Sequence, residues 1–536
     1  MITLNLNMRR PLSLSLLFVS LFGYAQQPDW LVSWPVNYSS NPGMPRHVLA
    51  ASDNGNLMSA RVLDGTFNYG QDIYGSAAVD RMDPATGQAL WSCLLLDSAN
   101  IESGAVDASG NVYLAGRFMG ELEVCDGSIL AHTGTWWDVD LFLMKFDPNG
   151  AVLWSRNLSL AIPDMTTATA LAIDPNEDLW YATGDFMLAR FARVDAQGND
   201  LEVRYMDGAK TIGGMDFDPA GGLYVSGGCD NNAFAFGGLN PVLPANDPYL
   251  MYLARYKPDG TGDWAHFAHD ITFQFPNVAA DDLGHAYLAG NMFDTTSWGG
   301  IPFNGPDWVS GVFLAKVDST GQFLWGVESD PAGGTINGDF EAAARACVAV
   351  DGDGNPYLTG TLRGLVDWGN GVVSDGITLG MRTQTIVSFD PAGTPVWAST
   401  SFPTASFVQT LAITAMDDGT LHFSSHVSGQ FDFAPLSTNI GGQQAYVIGR
   451  FGGTSTATED LVTVTGTIAF PSPFTEAIHL APAPPADARI TVTDAMGRMV
   501  QTGRYTGTLG EGWDPGMYAL EVRTGDERTV LRVVKQ

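Results

Sequence analysis

One spacing constrains this chain more than any other feature. A short turn of the form Asp-x-x-Gly, or close to it, returns seven times, beginning at Asp53, Asp107, Asp174, Asp218, Asp281, Asp351 and Asp417, at intervals of 44 to 70 residues. Ala105-Val106 leads into the second of these turns and Val112-Tyr113-Leu114-Ala115-Gly116 leads out. Two short alternating runs around Gly and Asn spell a hairpin, because those residues accept the positive φ that a tight turn needs. The same exit recurs as Leu223-Tyr224-Val225-Ser226-Gly227, Ala286-Tyr287-Leu288-Ala289-Gly290 and Pro356-Tyr357-Leu358-Thr359-Gly360. A second hairpin follows in the unit, Phe142 to Phe146, then Asp147-Pro148-Asn149-Gly150, then Ala151 to Trp154. It returns as Phe313 to Val317 with Trp325 and as Thr385 to Phe389 with Trp397.

Each unit therefore carries four strands, with an excursion between the hairpins marked by an aromatic and glycine, as in Phe236-Gly237-Gly238, Trp298-Gly299-Gly300 and Trp368-Gly369. The third unit lacks the excursion, which accounts for its short interval. A repeated four-stranded sheet of this size predicts an all-β chain, a seven-bladed β-propeller, because radial repetition hides the sheet edges that would otherwise invite aggregation. The seventh unit reaches Tyr446 to Phe451 and stops before its Trp-bearing strand, and Trp30-Leu31-Val32-Ser33-Trp34 is a segment of the missing kind. That segment is expected to complete the last blade and close the ring.

These units resemble the bacterial β-propeller repeats called SBBP repeats, which run Asp-x-x-Gly-Asn-x-Tyr-x-x-Gly and then Phe-x-x-Lys-x-Asp-x-x-Gly-x-x-x-Trp. The resemblance covers about residues 30 to 451; it is best in the second, fifth and sixth units and poor in the third. It speaks for fold and says little about activity.

The two ends read differently. Arg9 and Arg10 precede an apolar run from Leu12 to Phe22, followed by Gly23-Tyr24-Ala25. That is the pattern of a secretory signal peptide, residues 1–25, cut between Ala25 and Gln26. The run is about half the roughly 20 residues a membrane span needs, so no transmembrane segment is expected in the mature chain. After a propeller over residues 26–451, Gly452 to Thr458 reads as a linker, and residues 459–536 as alternating strands of a small C-terminal β-sandwich.

Within that last segment stand Phe470-Pro471-Ser472-Pro473-Phe474, Asp494-Ala495-Met496-Gly497-Arg498, Pro515-Gly516-Met517-Tyr518 and Lys535. The set resembles the type A C-terminal sorting domain of type IX secretion cargo in the Bacteroidota, with Ser472 where that family usually has Asn. The resemblance implies an outer-membrane translocon and a sortase as partners, and a secreted or outer-surface destination reached through the periplasm.

Composition excludes some partners. A formal charge of −32 makes nucleic acid a poor one, since its capture needs clustered Lys and Arg. Cys93, Cys125, Cys229 and Cys347 allow three connectivities and include no CxxC, so buried thiols with at most one incidental disulfide are expected.

The sequence marks no catalytic residue and no cofactor. Patterns of the HExxH, GxSxG and P-loop kinds are missing. His422 and His426 share a strand face about 13 Å apart, too far for one metal. Asp351-Gly352-Asp353-Gly354-Asn355 resembles the start of a Ca²⁺ loop, but Leu362 stands where the EF-hand glutamate would fall, and a plain turn is the preferred reading. Met82 to Trp91 resembles the tryptophan-docking motif of pyrroloquinoline quinone enzymes; without the calcium-ligating Glu and Asn of those enzymes, packing between blades is the expected role of the Trp.

Trp136, Trp137 and Trp308 fall in the excursions and are candidates for stacking on sugars. The functional expectation is a binding scaffold for extracellular glycan or protein, with a hydrolase or lyase in the propeller channel as the alternative. Carboxylates with an Arg or His at the channel mouth would mark the enzyme.

Overall fold

The computed structural model describes residues 26–38, 47–68, 72–134, 138–272, 274–305, 311–331, 339–376, 382–402, 405–452, 468–470, 477–481, 484–485, 488–494, 498–524 and 527–535. The chain divides into two compact units, Met1–Ser455 and Thr456–Gln536. Nearly all the described structure is strand, and a 3-10 turn at Leu158–Leu160 is the one helical element among the described residues. No helix among them is long and apolar enough to cross a membrane.

The larger unit is a β-propeller. Its repeats form antiparallel sheets in which neighbouring strands are consecutive in sequence, as hairpins require. The third repeat is the plainest case, with Thr167–Ile173, Leu179–Gly184, Leu188–Val194 and Asp200–Asp207 in spatial order. The fourth and fifth repeat the arrangement with Gly214–Phe217, Leu223–Cys229, Leu250–Tyr256 and Gly262–His269, then Asn277–Ala280, Ala286–Met292, Gly311–Val317 and Phe323–Glu328. In the sixth, Val348–Val350 and Asp339–Ala342 both pair with the long strand Pro356–Gly369, which continues to Thr383–Phe389 and Pro395–Thr400.

The first two repeats share one strand, Ala89–Val106. Its first part pairs with Asp72–Met82, outermost in the sheet that begins at His47–Ser52, and its second part pairs with Val112–Phe118 as the innermost strand of the next. The excursions fold back as short ribbons and bury their aromatics, so that Trp298 lies wholly inside and stacks on Phe323 with centroids 5.8 Å apart.

Closure follows the sequence expectation. The seventh repeat contributes Ala405–Ala415, Leu421–Phe433 and Leu436–Phe451, and its outer strand is Trp30–Tyr38, running antiparallel from Trp30 opposite Arg450 to Val36 opposite Gln444. Leu49, Leu57 and Met82 of the first repeat pack there against Ala412, Met416 and Ile448 of the seventh, with Trp30, Val32 and Trp34 at the margin.

A second contact fastens most sheets to the next, and it explains the recurring Trp; Trp397 of the sixth repeat instead stacks on Phe451 of the seventh. The Trp91 indole donates to the Pro148 carbonyl at 3.0 Å, Trp154 to Ala196 at 3.0 Å, Trp264 to Ser319 at 3.1 Å and Trp325 to Pro391 at 3.1 Å. In each case the acceptor is the second residue of the following repeat's outer hairpin turn. The ring lies over the fourth residue, where the turn needs φ > 0 and the ring leaves no room for a Cβ, as at Gly150 and Gly393. Trp30 makes the same contact with Pro84 at 3.1 Å, so the closing strand also docks on the first repeat.

In the third repeat, poorest in sequence, Glu202 stands at the Trp position and Arg204, two residues on, makes the contact instead. The Arg204 guanidinium donates to the Pro258 carbonyl at 3.1 Å while lying over the Trp180 ring at 4.5 Å. Cys93 and Cys125 form a disulfide that ties the outer edge of the first sheet to the excursion of the second, while Cys229 and Cys347 are free and buried. This is the single incidental disulfide the sequence allowed, beside two buried thiols.

The smaller unit holds a four-stranded antiparallel sheet in the order Met499–Arg504, Arg489–Asp494, Gly516–Thr524, Glu527–Lys535, and a two-stranded pair Ile468–Phe470 with His479–Ala481. Ile490, Val492, Leu520, Val522, Trp513 and Val533 are among its buried residues.

The Trp-on-glycine contact separates two glycines of equal φ. Gly284 (φ +82) has nothing within 4 Å of an added Cβ, whereas at Gly393 (φ +83) that atom would fall 2.6 Å from the Trp325 ring. Gly284→Ala is expected to cost about 1–2 kcal/mol of backbone strain, and Gly393→Ala about 1–3 kcal/mol more through overpacking. Equal denaturant midpoints for the two variants would refute the lock.

Candidate functional site

The axial turns explain the Asp-x-x-Gly-Asn-x-Tyr pattern from its parts. Asp107 accepts the Asn111 backbone N–H at 2.8 Å through one oxygen, and the Asn111 amide at 2.7 Å and the Tyr113 hydroxyl at 3.0 Å through the other. Asp351 does the same with Asn355 and with Tyr357 at 2.7 Å; Asp281 with His285 and with Tyr287 at 3.2 Å. Asp174 accepts the Asp178 N–H and, at 3.0 Å, the Trp180 indole. Asp218 accepts the Gly222 N–H at 2.7 Å, and Arg255 takes its second oxygen. All five carboxylates are buried and occupied in holding their turns through charge-assisted bonds. Burial, reinforced by the neighbouring carboxylate, pushes the Tyr113, Tyr287 and Tyr357 phenols up, so they stay protonated donors. At Asp351, where the sequence resembles the start of a calcium loop, both carboxylate oxygens accept hydrogen bonds within the turn.

Two turns depart from the expectation. In the first repeat the turn opens at Ser52, since Gly55 N–H bonds the Ser52 carbonyl at 3.0 Å; in the seventh it opens at Met416, bonded by Gly419 N–H at 2.9 Å. Asp53 and Asp417 therefore stand one place later than the turn-opening aspartates, where the other repeats carry Ala108, Pro175, Pro219, Asp282 and Gly352. The displacement has a visible signal, since glycine follows two residues after these aspartates rather than three.

Freed from turn duty, the Asp53 and Asp417 carboxyl groups lie close enough to perturb each other. They border an axial cavity of about 590 Å³ that Glu177 and Asp282 also line, and no Arg, Lys or His is among its lining residues. Burial, then the Asp417 and Asp282 charges, pushes Asp53 up to about 6, and burial together with Asp282 raises Asp417 as well. Lower on the axis, burial raises Asp216 to about 6, although it accepts the Ala280 N–H of the next repeat at 2.8 Å. The site is a rigid acid-rimmed cup, suited to a cation, an amine or hydrogen-bond donors.

The other sequence candidates do not gather at this cup. Trp136, Trp137, Trp308, Ala25, Pro471, Pro473, Phe474 and Gly497 lie outside the described residues. Gln26 is placed, its amide donating to the Gly452 carbonyl at 2.9 Å. In the smaller unit Arg498 pairs with Asp494 at 2.7 Å across their turn, the Tyr518 hydroxyl donates to the Asp514 carbonyl at 2.6 Å, and Lys535 Nζ donates to the Gly510 carbonyl at 2.8 Å. Pro515 is exposed, and Gly516 pairs opposite Lys535.

No protein-family model matches the sequence, and comparison with curated proteins finds no match. Among solved structures, a protein of unknown function from Bacteroides caccae is similar over 67% of this chain and 94% of its own, at 12% identity and a TM-score of 0.32. The Dos1 propeller is similar over 78% and 95%, at 9% identity and a TM-score of 0.38. A gluconolactonase from Xanthomonas campestris is similar over 67% and 91%, at 14% identity and a TM-score of 0.30. Scores this low carry no activity across to this chain, and the propeller description rests on its own strand pairing.

Proposed function

We propose that this chain is an exported seven-bladed propeller that binds an extracellular glycan or protein segment at its acid-rimmed axial cup. The carrying observation is the gathering of Asp53, Asp417, Asp282 and Glu177 around one cavity, the last two on turns held by Asp281 and Asp174. Such a cup favours a ligand presenting amines or dense hydroxyl donors, because a carboxylate accepts several hydrogen bonds at once. The Cys93–Cys125 disulfide supports an oxidising, extracytoplasmic destination. Residues 1–25 are the signal peptide in this reading, and 459–536 a small sandwich that engages the type IX translocon and its sortase.

One observation favours a second reading. Asp53 and Asp417 neighbour each other, and burial with the Asp417 charge raises Asp53 to about 6, so that it keeps its proton above the usual carboxylate range. A carboxyl beside a carboxylate is equipment for general acid and base work, as a hydrolase or lyase needs.

Glycan and peptide arrays run beside a hydrolase and lyase panel, with wild type and the Asp53→Asn, Asp417→Asn double variant, separate the two readings. Binding that weakens about tenfold or more in the double variant and declines with salt is expected. Turnover lost in the variant would replace the binding reading with the catalytic one, and unchanged binding would remove the cup from the function. Deleting residues 459–536 is expected to leave the protein in the periplasm; continued export would end the sorting assignment.

A further inference from the structure

The joint between the first and seventh repeats differs from the others in two ways: a strand distant in sequence closes it, and three of the eight histidines are buried around it. His47, His422 and His426 are each 0% exposed. His47 lies on the innermost strand of the first repeat with its ring 5.1 Å from Tyr446 of the seventh. His422, in the seventh repeat, lies 5.7 Å from the Trp30 ring, and its Nε2 meets the Pro84 carbonyl of the first repeat at 3.2 Å. That carbonyl also receives the Trp30 indole, so His422 sits on the lock of the closing strand. His426 packs against Tyr446 on one side and Phe407 on the other.

The surroundings are arranged for neutral rings. His47 Nε2 meets the Ser59 hydroxyl at 3.0 Å, while its Nδ1 and the Nδ1 of His422 are buried with no hydrogen-bond partner. A proton added to either Nδ1 would be a buried donor with no acceptor on a newly charged ring, the costliest kind of polar burial. The charged neighbours do not relieve it. Arg61 faces His47 and is itself paired with Asp80; it also lies over the Trp34 ring of the closing strand, 4.4 Å from the centroid. Arg450 and Asp418 both face His422, and Arg450 is held by Asp29 at 2.9 Å. Tyr446 and Gln444 face His426.

We propose that this joint is an acid-opened latch: protonation of His47 and His422 expels them from the seam, frees the closing strand Trp30–Tyr38, and opens the ring between its first and last repeats. Burial, with Arg61 second, pulls His47 down to about 3, and burial pulls His422 and His426 down to about 4. A histidine depressed by folding contributes stability that is full above about pH 6.5 and is lost as pH falls through the folded value. Asp53 and Asp417, at the axial end of the same joint, act in the opposite sense. Raised to about 6, Asp53 contributes stability that is lost as pH rises through 6. The acid response of the joint is therefore the histidine contribution less the aspartate one.

The test compares melting temperatures of the purified full chain between pH 7 and pH 4.5. The wild type is expected to lose about 5–10 °C over that range, and the His47→Gln, His422→Gln variant less than half as much. His285→Gln, at a histidine held 2.9 Å from Asp281 away from the joint, controls for the loss of a histidine as such and keeps the wild-type slope. Parallel slopes in the double variant and the wild type would overturn the latch. Should the double variant not fold, hydrogen exchange of the wild type at pH 4.5 decides. Protection is expected to go first from residues 30–36 and 444–450 while the third to fifth repeats retain theirs; simultaneous loss throughout the ring would overturn the proposal.

Discussion

The pairing of Trp30–Val36 with Gln444–Arg450 is the contact on which the rest of the larger unit depends. A propeller sheet buries both faces against its neighbours, so a ring left open at one joint exposes two apolar faces at once. Closing a loop of some 400 residues costs only on the order of 5 kcal/mol, because loop entropy grows with the logarithm of length. The strand offsets this with a seven-residue ladder, the buried Val36 and the docked Trp30. One large aromatic removed from water contributes about 4–6 kcal/mol at full burial, so a partly buried Trp30 together with the ladder is enough to hold the joint.

The same four-residue turn serves two ends of the sheet differently. At the axis its aspartate is turned inward and satisfied by the residue four places on and the aromatic two places further, as Asp107 is by Asn111 and Tyr113. At the periphery the turn offers its second carbonyl and its bare glycine to the Trp of the preceding repeat, as Pro148 and Gly150 do to Trp91. One contact makes each sheet self-consistent and the other makes the sheets mutually consistent. Arg204 shows what the second requires. It supplies a donor for the carbonyl and a flat group over the turn, and a guanidinium meets both conditions.

Much of this was legible in the sequence because its causes are local. Turn chemistry set the hairpins, the period set the repetition, and the missing Trp strand after Phe451 pointed to Trp30–Trp34. What escaped depends on contacts between distant residues. His47 and Tyr446 are 399 positions apart and belong to sheets that meet only when the ring closes. The Cys93–Cys125 bond was one of six possible single pairs that spacing alone treats alike. The free aspartates were missed for a subtler reason. Asp53 and Asp417 look like members of the repeat, yet a one-residue displacement takes each carboxylate out of its turn and turns it toward its neighbour.

That displacement shows how the scaffold separates structure from specificity. The turn-opening position is aspartate in five of the seven repeats because the turn consumes its charge. The position after it is Asp53, Ala108, Pro175, Pro219, Asp282, Gly352 and Asp417 around the axis, with nothing in the hairpin fixing its chemistry. Each of these residues borders the same cavity or adjoins a residue that does. A ring of rigid turns thus presents a circle of side chains that can change without disturbing the fold. In this chain three of them are acidic, and the charge they share is the property that any occupant of the cup has to meet.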